Sequence, residues 1–186
     1  LVDKAKLARL VLDVRRHRVP DLLRRPDTTT AQRLATAGFS DRMLESFWQP
    51  LFAGIQLDPD LEVSSRRFDT ILRMLATGST GVPQQGMGAI PAQLAATLAD
   101  GTVRLDARVA SVDRSGAVLD SGERVDGRVV VVATEGPAAH RLLGERVPDP
   151  GSRAAACCWF SAPSPPLPGR QLILDGEASG PAKNLA

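Results

Sequence analysis

Leu7, Leu10, Val11 and Val14 recur at helical spacing, while Lys4, Lys6, Arg9, Arg15 and Arg16 fall elsewhere on the turn. This pattern predicts a first helix with a buried apolar stripe and a solvated charged face. Asp27-Thr28-Thr29-Thr30 offers helix N-caps, and Gln32, three residues after Thr29, completes a capping box; Gly38 then closes a short helix. Ser40 caps the next helix, Asp41 to Trp48, for which Pro50 predicts a stop, because proline has no backbone N–H and disfavours helix at the residue before it. After the apolar Leu51–Ile55 stretch and a turn at Asp58-Pro59-Asp60, Ser64 caps a helix expected to bury Phe68, Ile71, Leu72 and Leu75 and to end at Gly78. Roughly the first eighty residues therefore read as a helical layer.

Gly81 to Gly88 is a glycine-punctuated loop, and Pro91 suits the first turn of a helix carrying Leu94 and Leu98 on one side. The period then changes. Val103, Leu105, Ala107 and Val109 alternate with Arg104, Asp106 and Arg108, predicting a strand to about Val112. Turn signals at Ser115-Gly116 and Asp120-Ser121-Gly122 make Ala117–Leu119 and Glu123–Val125 the rest of a small antiparallel meander. The unbroken valines of Val129 to Ala133 are what a strand covered on both faces requires, as in a parallel sheet layered by helices. Two further apolar runs, Ala154–Phe160 and Gln171–Leu174, flank the proline-rich Ala162–Pro168 and predict two strands joined by a stiff turn. The class is α+β: a helical layer, an antiparallel sheet, and one buried strand belonging to a larger α/β domain. The chain opens inside a helix pattern without a start methionine and ends without a cap, so both ends read as cut.

Composition narrows the functions. At 186 residues and 43% hydrophobic content the chain can bury a sizeable core. A formal charge of +2, with no long basic block interleaved by aromatics, argues against nucleic acid. No apolar run approaches the ~20 residues needed to span a bilayer, and no signal-peptide order opens the chain, which makes a cytoplasmic protein the default. Cys157 and Cys158 are sequence neighbours, unsuited to an ordinary staple, and His17 and His140 stand far apart, so no metal set and no hydrolase triad is assembled. Asp58, Asp60 and Glu62 read as a solvated turn around Pro59, not as acid–base groups, and no catalytic residue is assigned.

Three stretches in order carry a resemblance. The first is Gly38-Phe39-Ser40 followed by Phe47-Trp48-Gln49-Pro50-Leu51-Phe52-Ala53-Gly54-Ile55-Gln56-Leu57. The second is Val82-Pro83-Gln84-Gln85-Gly86-Met87-Gly88-Ala89-Ile90-Pro91 followed by Leu94. The third is Val103 to Val112, the meander, Val129 to Thr134 and the helix signal Ala138 to Leu143. Together they resemble the FAD-dependent family that includes phytoene desaturases, protoporphyrinogen oxidases and flavin monoamine oxidases, over roughly residues 39–174. The resemblance implies hydride transfer from a hydrophobic, isoprenoid-like or amine substrate to flavin, with FAD as cofactor of the intact parent. It divides the chain into residues 1–86, part of a helical substrate domain; 87–143, part of the FAD domain; and 144–186, return strands of the substrate domain. It matches Val109 to a valine whose backbone meets adenine, Ala133 and Thr134 to the strand end beside the dinucleotide, and Gln85, Gly86 and Met87 to the loop near the substrate side of the flavin.

The sequence departs from that family where the cofactor would be held most firmly. A dinucleotide fold needs glycines at its first strand-to-helix turn, with an acid beyond it for the ribose, and no GxGxxG is present. Gly86-x-Gly88 lacks the third glycine at the right offset and precedes Pro91, so it reads as a turn. The first expectation is therefore an internal fragment of an FAD-dependent oxidoreductase that is inactive and does not hold FAD by itself. A free-standing module that binds a hydrophobic ligand or a partner protein is the alternative. A third reading is an excised piece that forms a homodimer through its exposed apolar surface.

Overall fold

The structure is a computed structural model that describes residues 1–152, 154, 156–164, 169, 172–177 and 184–185. It is α+β, and the chain divides into two compact units, residues 1–80 with 153–186, and residues 81–152. Among the described residues no helix is long and apolar enough to cross a membrane.

The first unit is helical. Helix α1 (Val2–Arg16) buries Leu10 and Val14 and leaves its charged side exposed, as its stripe predicts. After α2 (Val19–Leu23), Thr29 caps α3 (Thr30–Ala37) through the full capping box with Gln32. Gly38 ends α3 at φ 74°, a left-handed conformation that glycine adopts without a Cβ penalty. Ser40 caps α4 (Asp41–Met43) by accepting from the Met43 amide.

The predicted stop at Pro50 does not occur. The chain winds through a π-turn (Leu44–Trp48) straight into α5 (Gln49–Gln56), with Pro50 in its first turn. A proline inside an α-helix loses one hydrogen bond and crowds the carbonyl four residues back; the wider π-turn relieves both demands without breaking the helix. Ser46 Oγ also donates to the Arg42 carbonyl at 2.5 Å.

Helix α6 (Ser65–Thr77), capped by Ser64, buries Phe68 and Leu72, while Ile71 is half-buried and Leu75 lies outward at 44% exposure. The N-termini of α3 and α6 are stitched together. Thr30 N–H bonds the Val63 carbonyl, Ala31 N–H the Leu61 carbonyl and Ser65 N–H the Thr28 carbonyl, at 2.8–2.9 Å. Behind this seam the buried Thr30 hydroxyl and Gln56 amide bond each other, which satisfies polar groups that would be costly to bury alone. The core that results joins Leu10, Val14, Leu22, Leu34, Phe39, Trp48, Phe52, Leu61, Phe68 and Leu72. In the same unit β4 (Ile173–Leu174) pairs antiparallel with β5 (Asn184–Leu185).

The tail departs from expectation elsewhere. Among the described residues, 154 and 156–160 form no strand, and Trp159 and Phe160 are 90% and 86% exposed. Residue 155, Gln171 and most of the proline-rich turn lie outside the described residues.

The second unit opens with α6's successor, α7 (Ala89–Ala95), after a loop of turns. Three strands follow in the order β1 (Val109–Val112), β2 (Gly116–Leu119) and β3 (Arg124–Asp126), the antiparallel meander the turn signals predict. Gly116 is required by packing: a Cβ there would run into the Val125 carbonyl on the neighbouring strand. The strand starts later than its alternation suggests, because Asp106 takes φ 54° and interrupts the extended backbone that pairing needs. Helix α8 (Gly136–Leu143) packs on β1 and buries Ala139.

The valine run ahead of α8 forms no strand among the described residues. None of the amides from Val129 to Ala133 donates to a backbone carbonyl among the described residues, and Val129 and Val131 are 78% and 80% exposed. A β ladder needs a neighbouring strand, and neither described sheet includes this run.

Candidate functional site

All six residues singled out from the sequence lie in the second unit. Gln85, Gly86 and Met87 sit exposed on a turn in which the Gly86 amide donates to the Pro83 carbonyl at 2.9 Å and the Ala89 amide returns to the Gly86 carbonyl at 3.1 Å. Gly86 has φ 83°, so this turn depends on glycine. Ala133 and Thr134 are exposed immediately ahead of α8. Since α8 packs on β1, the chain brings that entry to the helix and the strand bearing Val109 into one substructure. No hydrogen bond joins Gln85, Gly86 or Met87 to Val109 or Thr134 among the described residues.

Val109 has a feature that side-chain pattern cannot reveal. It stands opposite Leu119 on β1, at the edge of the three-stranded sheet. The Asp120 amide bonds the Arg108 carbonyl at 2.9 Å, and Leu119 directs its own amide to the Glu123 carbonyl at 2.8 Å. Val109 and Leu119 therefore form a non-hydrogen-bonded pair, which turns the N–H and C=O of Val109 toward the open edge of the sheet. The register slips between Val109 and Ser111, a bulge that twists the edge at this point. The result is one donor and one acceptor, side by side and free of the ladder. A planar heterocycle with a complementary acceptor and donor on one edge fits that pair.

Most of the charged groups around the meander are matched internally. Arg104 grips Glu123 with two bonds, at 2.8 and 2.6 Å, in the concavity lined also by Asp106, Arg108 and Asp120. Arg124 binds Asp113 through two bonds, at 2.9 and 3.1 Å, and also reaches Asp126 and Ser115. That guanidinium, helped by the amide and hydroxyl of Ser115, holds the Asp113 carboxyl well below the usual carboxylate range. These exposed pairs shape loops, while Asp106 at the same concavity has no side-chain hydrogen bond or ion pair among the described residues. No group of three or more His, Cys, Asp or Glu able to hold a metal occurs among the described residues.

The first unit contains a charge cluster that the sequence reading missed. Asp69 on α6 is 2% exposed and lies between Arg25 Nη1 at 2.7 Å and Arg33 Nε at 3.2 Å. Asp13 on α1 receives the same two arginines, with Arg25 bidentate at 2.9 and 3.0 Å and Arg33 Nη2 at 3.0 Å. His17 Nδ1 closes the group, 3.0 Å from Arg25 Nη2. Two acids and two arginines thus pin α1, α3, α6 and the α2–α3 connection together. Partial burial pushes the Asp13 carboxyl upward, but the Arg25 hydrogen bond and the charges of Arg25 and Arg33 outweigh it and leave it below its ordinary value.

Asp58 also differs from its reading as solvated. It is 2% exposed and accepts the Val63 amide at 2.8 Å, so it fastens the turn between α5 and α6 from inside. It is a structural acid. The described geometry offers peptide groups and a glycine turn as its chemistry. The family model described as flavin containing amine oxidoreductase matches residues 2–164. No curated protein and no solved structure matches the chain.

Proposed function

Because the chain belongs to the flavin-containing amine oxidoreductase family, whose members are flavin-dependent oxidoreductases, we propose that it supplies substrate-side helices and one part of the FAD domain. In this reading the parent enzyme transfers hydride from a hydrophobic or amine substrate to FAD. Val109 meets the adenine through its peptide N–H and C=O, Ala133 and Thr134 border the dinucleotide, and the Gln85-Gly86-Met87 turn faces the substrate side of the flavin. FAD supplies the redox chemistry; the residues of this chain bind, orient and exclude water.

The observation that carries the reading is the valine run. Val129 and Val131 expose apolar surface on a segment with no ladder partner among the described residues, directly ahead of a helix packed on β1. That is the condition of a strand whose sheet neighbours belong to the rest of a nucleotide-binding domain. The edge peptide of Val109 supports the same assignment, since adenine presents a donor and an acceptor on one edge. The glycine-rich phosphate turn that such a domain requires is not among these residues.

Purified chain titrated with FAD is accordingly expected to show no stoichiometric complex by absorbance after gel filtration, because one peptide edge without a phosphate cradle gives only weak contact. A tight yellow complex would overturn this division of labour.

A further inference from the structure

Eight of the chain's 23 lysines and arginines fall within the first 25 residues, against three of its 21 acids, although the formal charge of the whole is only +2. The fold sorts these charges by direction. The acids of α1 turn inward: Asp3 accepts the Ser40 amide and hydroxyl at 3.1 and 2.6 Å, and Asp13 is held by Arg25 and Arg33. Lys6 is committed to the Gly38 carbonyl. Outward stand Lys4, Arg9, Arg15 and Arg16, all exposed and without an ion-pair partner among the described residues.

At 3.6 residues per turn these cations surround Leu12, on the side of the helix opposite Leu10 and Val14. Leu12 is 49% exposed. The composition continues through α2, where Arg18 and Arg24 are exposed and Leu23 is 50% exposed. Arg24 pairs with Asp21 at 3.5 Å, so the outward surface combines the unpaired cations of α1 and Arg18 with isolated leucines.

We propose that the outward face of α1, continued by the exposed leucine and arginines around α2, docks on an anionic phospholipid bilayer. Charge complementarity selects an anionic partner, and the leucines select among anionic partners. A polynucleotide would take the same cations at its phosphates but offers no apolar layer for Leu12 and Leu23, and the first 25 residues contain no Phe, Trp or Tyr on which bases could stack. A lipid surface accommodates both components: headgroup phosphates take the guanidinium and ammonium groups, and the acyl boundary takes Leu12 and Leu23. The long arginine and lysine stems let the charges stay at headgroup level while the leucines sink below.

The test is co-sedimentation of the full chain with vesicles of phosphatidylcholine alone and of phosphatidylcholine mixed with phosphatidylglycerol. Binding is expected only to the mixed vesicles and should weaken as salt is raised. Arg9→Gln with Arg16→Gln should lower the partition about 25-fold, about fivefold for each cation removed. Leu12→Ser should lower it several-fold again. These side chains lie outside the core, so circular dichroism should be unchanged, and Lys4→Gln with Arg15→Gln provides a second pair for the same reading. Equal binding to neutral vesicles, no binding to either, or unchanged binding of the charge variants overturns the proposal. Binding to heparin or duplex DNA as strong as to the mixed vesicles, and insensitive to Leu12→Ser, also overturns it.

Discussion

Trp48→Ala is expected to cost the helical unit about 3–5 kcal/mol, a large share of the ~5–15 kcal/mol that holds a typical domain. Trp48 is fully buried and touches four other aromatic rings, with centroids 5.3 Å from Phe39, 5.1 Å from Phe47, 5.7 Å from Phe52 and 5.5 Å from Phe68. Truncation would leave a cavity at the point where α5, α6 and the π-turn converge. The indole Nε1 has no hydrogen-bond partner among the described residues, so Trp48→Phe should retain more of the stability than Trp48→Ala, because it keeps an aromatic ring at the site and loses no hydrogen bond. Urea unfolding followed by far-ultraviolet circular dichroism measures both changes. Fluorescence supplies a control, because the other tryptophan, Trp159, is 90% exposed and should report solvent-like emission in the variant and the parent alike.

Asp69→Asn should destabilise the same unit by a comparable amount, about 3–5 kcal/mol, because it leaves two arginines facing one remaining carboxylate in a partly dry site. Asp13→Asn is expected to cost less, since the Asp13 side chain is 36% exposed and that of Asp69 only 2%. Combining Asp69→Asn with Arg33→Gln should cost less than the sum of the single changes, the mark of groups that act as one network. The acid limb follows from Asp13. Its folded-state pKa lies below the unfolded value of about 3.9, so its contribution is present above that pH and is lost as pH falls through the folded value. Below about pH 4 the parent chain should therefore lose stability more steeply than Asp13→Asn. Thermal melts of the parent and variant chains across that range measure the difference.

Local signals were legible in the sequence and distant ones were not. The Thr29–Gln32 capping box, the Gly38 stop and the Ser40 and Ser64 caps all emerge where the residues predict, because a cap is decided within one turn of the chain. The meander is legible for the same reason, through its turn residues. The Asp13–Arg25–Arg33–Asp69 cluster joins residues up to 44 positions apart in a single bond and left no periodic trace. Asp58 resembled its solvated neighbours because Pro59 and Asp60 mark a turn without saying which carboxylate faces inward.

Besides the Ala154–Phe160 run, two strand readings failed for physical reasons that alternation cannot express. Val103–Arg108 has the right pattern, but Asp106 takes a left-handed conformation. Val129–Ala133 has the right composition but no neighbour to pair with among the described residues. For the candidate site, the resemblance pointed to Val109 as a residue, whereas the direction of its peptide groups follows only from the register of β1 on β2. Side-chain pattern reports which face of a strand is apolar and says nothing about which edge of the sheet is open.

The valine segment therefore carries the flavoprotein assignment of the second unit, and amide hydrogen exchange on the chain alone tests it directly. Val129 to Ala133 should exchange near the rate of an unstructured peptide, while Phe68 in α6 and Val118 in β2 exchange slowly. Strong protection of Val130 to Val132 in the isolated chain would mean that they are already paired, contradicting a strand kept for sheet partners beyond this unit.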